Sequence, residues 1–113
     1  MIVILYQSGC GKPAKDVAVD LRKAFADYVK VRLIGANARA SWPGEPAWDD
    51  LLIVMYDNDE FPVAGGAFIE QYLKKRKSSA CLLPVAIDPS VRMPPKAAAA
   101  IKALEYDRGA KGP

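Results

Sequence analysis

Apolar residues in this chain gather in short unbroken runs, and the stretches between them carry helical spacing. Ile2-Val3-Ile4-Leu5-Tyr6 is a β-branched run without polar alternation, the pattern of a strand covered on both faces. Ser8-Gly9-Cys10-Gly11 breaks it. Pro13, with its preset backbone dihedral, then suits the first position of a helix running to about Tyr28, in which Val17, Leu21, Ala24, Phe25 and Tyr28 form the apolar stripe. A second strand is expected over Val29 to Ile34, and the alternation of Lys30 and Arg32 through it points to an edge or half-exposed position. Gly35 to Asp49 reads as a loop around Ser41-Trp42-Pro43-Gly44-Glu45-Pro46, and its length is a mild functional hint.

Leu51 to Tyr56 is the clearest strand. Asp57-Asn58-Asp59-Glu60 ends it, and Pro62 opens a second helix to about Lys77 that should bury Phe68, Ile69, Tyr72 and Leu73. Cys81 to Ile87 is a fourth strand. Asp88-Pro89-Ser90 turns the chain, Pro94-Pro95 opens a short alanine-rich helix, and Leu104-Glu105-Tyr106 is a candidate brief final strand. Strands alternating with helices imply a parallel sheet with right-handed crossovers. The expected fold is therefore a single flavodoxin-like three-layer α/β domain over residues 1–108, with a four- to five-stranded sheet and a disordered tail at 109–113.

With 113 residues, half of them apolar, the chain can bury one core but not two. No apolar run is long enough to cross a bilayer and the first lacks the basic start of a signal peptide, so a cytoplasmic location without membrane contact is expected. The two cysteines, Cys10 and Cys81, are expected to be reduced thiols. Histidine is absent, which excludes serine–histidine and cysteine–histidine catalysis and ordinary zinc chemistry; no metal is expected. The net charge is +3, and the one dense basic run, Lys74-Lys75-Arg76-Lys77, falls at a helix end where cations suit the macrodipole. No aromatic residues interleave it, so it reads as a solvated helix end and not as a nucleic-acid surface.

Ser8, Gly9, Cys10, Gly11 and Lys12 would present backbone N–H groups and a helix amino end to an anion such as a nucleotide phosphate. The plain alternative is a tight turn. The segment is not a P-loop, because Tyr6 stands at the first glycine and Pro13 replaces the Ser or Thr. Cys10 at a helix start has the setting of a reactive thiol, but Pro13 removes the second cysteine of a C-x-x-C pair.

Glu70 lies one turn after Gly66, and long helical side chains lean back over the residue four earlier. With Gly65 and Gly66 beneath, a ligand could touch both the glycine backbone and this carboxylate, with Asp57 close by. A simple pair between Glu70 and Lys74 is the structural alternative. Trp42 is a candidate to stack on a flat ring, while Trp48 is expected to seal a core edge.

These pieces resemble a short TIR (Toll/interleukin-1 receptor-like) domain from Ile2 to about Asp107. The likeness is carried by Val3-Ile4-Leu5-Tyr6, by Trp42-Pro43-Gly44, and by Leu52-Ile53-Val54-Met55-Tyr56 through Phe61. Most specifically, it is carried by Leu83-Pro84-Val85-Ala86-Ile87-Asp88 followed by Met93-Pro94-Pro95. The resemblance implies an NAD-type nucleotide as ligand or substrate, no separate cofactor, and Glu70 at the position of the family's catalytic glutamate. Ala64, Gly66 and Ala67 stand where the family usually has serine, tryptophan and cysteine, and its helix between the second and third strands is missing. Gly65-Gly66-Ala67-Phe68-Ile69-Glu70 is also similar to the nucleoside deoxyribosyltransferase pattern, another glutamate-dependent chemistry at an N-glycosidic bond.

Two roles are thus expected. One is a nucleotide-binding glycosidase in which Glu70 supports positive charge as the N-glycosidic bond breaks. The other is a non-catalytic signalling module that self-associates or docks a TIR-like partner through the 35–49 loop.

Overall fold

The computed structural model describes residues 1–44, 47, 49–58, 60–77 and 80–87. The expected alanine-rich helix, the final strand, the tail and Trp48 lie outside the described residues. Four strands, β1 (Ile2–Tyr6), β2 (Val31–Gly35), β3 (Leu51–Tyr56) and β4 (Leu82–Ala86), form an all-parallel sheet in the order β2-β1-β3-β4. Ile4 sits opposite Leu33 on one side and Ile53 on the other, and β3 carries Ile53 opposite Leu83.

Helices α1 (Gly11–Phe25) and α2 (Val63–Arg76) make the β1–β2 and β3–β4 crossovers, and the 36–50 segment makes the third, from β2 past β1 to β3. Because β2 and β4 lie on opposite sides of the central pair, right-handed crossovers place α1 and α2 on opposite faces. The side chains sort accordingly. Ile2, Ile4, Ile53 and Met55 pack with Ala14 and Ala18 of α1, whereas Val3, Leu5, Leu52 and Val54 pack with Phe68, Ile69 and Tyr72 of α2. This is the three-layer, flavodoxin-like arrangement that the alternation of runs implied.

Differences from expectation fall at element ends and have simple causes. α1 begins at Gly11, so Pro13 is its third residue, still among the first four positions whose N–H groups have no helical acceptor. Phe25 is 42% exposed and Tyr28 94%, although both fall on the apolar stripe. A helix of 15 residues is about 22 Å long, while the five-residue strands beneath it span about 17 Å, so the last turn overhangs the sheet. Ala26–Tyr28 then forms a 3-10 turn, which delays β2 to Val31. β2 does stand at an edge, with Lys30 and Arg32 exposed. No described helix is long and apolar enough to cross a membrane.

Candidate functional site

In an open parallel sheet, ligands favour the carboxyl edge at the point where successive crossovers leave in opposite directions. Here that point lies between β1 and β3, and a side chain from each strand end meets there. Gln7, only 3% exposed, directly follows β1. Its Oε1 accepts the backbone N–H groups of Asp57 (2.7 Å) and Asn58 (3.2 Å), while Nε2 donates to Asn58 Oδ1 (3.3 Å) and the Glu60 carbonyl (3.2 Å). One amide thus ties the turn after β1 to the loop that launches α2.

The glycine-rich turn is brought against Asp57, a neighbour the sequence reading had placed beside Glu70, and its polar capacity is partly used. The Cys10 N–H donates to the Gln7 carbonyl at 2.8 Å. The Asp57 carboxylate lies so close to Gly9 that a Cβ there would have to push the carboxylate aside. Ser8 and Lys12 are exposed and Gly11 is half-buried. The Cys10 side chain is fully buried on the α1 side. Burial, and then the negative charge of Asp57, push its thiol above the ordinary value, only partly offset by a hydrogen bond with the Gln7 backbone. This is the opposite of thiolate activation. Both cysteines are free thiols, and Cys81 is exposed. In the native protein a thiol reagent should therefore titrate Cys81 promptly and reach Cys10 only on unfolding; two equally fast thiols would contradict this burial.

Gly65 and Gly66 are buried at the start of α2. The surface over Gly65 is occupied: a Cβ there would lie 2.5 Å from Phe61 Cε2 and 3.0 Å from the Ala36 carbonyl oxygen. Glycine at 65 lets α2 approach the end of β2, and Phe61 covers the junction. Glu70 is exposed on α2.

Trp42 is placed well away from this edge. Its ring stacks on Tyr72 with centroids 5.0 Å apart and on Phe68 at 6.1 Å, and the Arg76 guanidinium lies over it at 4.7 Å. Arg76, 6% exposed, pairs with the equally buried Asp50, which also accepts from the Ala47 N–H at 2.8 Å and contacts the Met1 amino nitrogen at 3.3 Å. Asp50 precedes β3 and Arg76 ends α2, so this cluster closes the amino edge. The basic run at 74–77 is accordingly not a uniformly solvated helix end, because its third member is a core residue. The signal was present in the sequence: Arg76 lies seven residues after Ile69 and four after Tyr72, on the stripe that faces the sheet.

Open space lies instead beside α2. A cleft of about 710 Å³, within the range of small-molecule sites, runs between the segment after β2 and the outer flank of α2. Asn37, Arg39 and Ser41 form one wall; Ala64, Ala67 and Gln71 form the other, with Phe68 between them. Ala64 and Ala67 keep the helical wall low, and Gln71, not Glu70, is the polar group that α2 contributes. Arg39 is the charged residue among the described lining residues, and it is exposed. Sequence reasoning flagged the length of this loop but took none of these residues as ligand contacts, since the cleft depends on the chain folding back over α2 to seat Trp42.

Fold and cleft together define a doubly wound, flavodoxin-like α/β domain with an open groove beside α2. No family model, no curated protein and no solved structure matches the chain.

Proposed function

We propose that this is a nucleotide-binding α/β domain that takes an NAD-like ligand in the cleft between the 37–41 segment and α2. The observation that carries the reading is the cleft itself: an open groove of about 710 Å³ with a low alanine wall for a flat ring, amide and hydroxyl groups for its edges, and one arginine. Hydrolysis of the N-glycosidic bond by Glu70 has weaker support, because the cleft is lined by Gln71 in its place. The domain is therefore proposed to bind the nucleotide without turning it over.

Purified protein titrated calorimetrically with NAD should show saturable binding, with no nicotinamide released on long incubation at high protein concentration. Release that disappears in Glu70→Ala would establish the glycosidase instead, and absence of binding would sink the reading. Self-association is a second reading, favoured by Leu83 in β4 and Ile87 just after it, which are 50% and 41% exposed on an edge strand of the described sheet. Light scattering across protein concentration reads it, and a strict monomer removes it.

A further inference from the structure

Two places could receive the phosphates of such a ligand: the glycine-rich turn after β1, and the cleft beside α2. We propose that the phosphate end is held in the cleft beside Arg39 and is excluded from the turn at Ser8–Lys12. This rests on the nucleotide reading above and fixes the orientation of the ligand within it.

At the turn, the position an anion would take is already held by an anion. The Asp57 carboxylate lies against Gly9, in the space that a Cβ there would need. Its Oδ1 accepts from Asn58 Nδ2 at 3.0 Å, and the backbone N–H groups of Asp57 and Asn58 are tied to Gln7, so the carboxylate is anchored by its own loop. Its charge is felt by the nearby Cys10 thiol. The Cys10 N–H is spent on the Gln7 carbonyl. A phosphate at Gly9 would meet a like charge at contact distance, with one fewer donor than the sequence suggested.

In the cleft the balance is reversed. Arg39 is accompanied by Asn37 and Ser41, with no carboxylate among the described lining residues, and the first turn of α2, which shares the cleft through Val63 and Ala64, carries no acidic residue. A guanidinium offers a fork of donors that matches phosphate oxygens in pairs. Because Arg39 is exposed, it can rotate onto the ligand without leaving a buried partner behind.

The test is calorimetric titration of adenosine, ADP and inorganic pyrophosphate into wild type, Arg39→Ala and Asp57→Asn, each checked for native circular dichroism. Arg39→Ala should weaken ADP and pyrophosphate at least tenfold while leaving adenosine unchanged, and Asp57→Asn should alter ADP binding by less than about threefold, since screened charge at a distance acts weakly. Tenfold tighter ADP binding in Asp57→Asn, or ADP binding indifferent to Arg39, would overturn the proposal. The two failures are distinguishable. Adenosine bound with no gain from its phosphates keeps the nucleotide reading and removes this one. Pyrophosphate bound through Arg39 without any nucleotide affinity overturns the nucleotide reading and this one with it.

Discussion

Asp50→Ala is expected to destabilise the domain by about 3–5 kcal/mol, the range for removing one partner of a buried ion pair. Both side chains are 2% exposed, and the guanidinium that would lose its carboxylate lies over the rings of Trp42 and Tyr72. Against a typical stability of about 5–15 kcal/mol, such a loss shifts a urea midpoint by a large fraction of its value. The double variant Asp50→Leu/Arg76→Met should recover much of it, because apolar residues of similar size remove the desolvation cost along with the attraction. A single variant as stable as wild type, or a double variant worse than the single, would contradict this account. The pH dependence has a definite sign. Burial pushes the Asp50 carboxyl up, but the Ala47 N–H, the Arg76 guanidinium and the Met1 amino group together outweigh it and hold the carboxyl below its ordinary value of 3.8. A depressed value means stability that is complete above pH 3.8 and is lost as pH falls through the folded-state value. Acid unfolding of Asp50→Ala should lack that component.

The sheet was legible because β1 and β3, as central strands of a parallel sheet, need apolar residues on both faces and so show unbroken runs. Ile2 to Leu5 and Leu52 to Tyr56 are all buried, and the two faces part between α1 and α2. α2 was legible for the same reason, through Phe68, Ile69 and Tyr72. What sequence could not supply was the path of the segment between β2 and β3. Whether Trp42 faces a ligand or the core depends on where that segment crosses α2, and only the long-range partners Tyr72 and Arg76 decide it. The glycine-rich turn shows a related gap. Its backbone suits an anion, but the anion already there comes from a residue some fifty positions away in the chain, Asp57.

Gln7 gives the second large effect, and it joins the fold to the proposed site. Gln7→Leu keeps the volume but removes the acceptor for two backbone N–H groups, at Asp57 and Asn58, and the donor to Asn58 and Glu60. These hydrogen bonds are only part-buried, with Asn58 and Glu60 exposed to water that can replace them, so a loss of about 1–2 kcal/mol is expected. The damage should be local before it is global. Amide exchange at Asp57 and Asn58 should accelerate strongly while β1 and β3, held by their own ladder, keep their protection. Loosening this loop frees the start of α2, because Phe61 and Pro62 lead directly into the first turn and Phe61 covers Gly65. Since Val63 and Ala64 of that turn line the cleft, ligand affinity should fall in Gln7→Leu although Gln7 is not among its described lining residues. Unchanged exchange at 57 and 58 would mean that the Gln7 amide is not what holds the loop, and unchanged affinity with fast exchange would mean that the cleft does not depend on how α2 begins. The residue that closes the sheet's own crevice would then be unconnected to the groove beside it, whereas the hydrogen bond from Gln7 to the Glu60 carbonyl, three residues before α2 begins at Val63, is expected to join them.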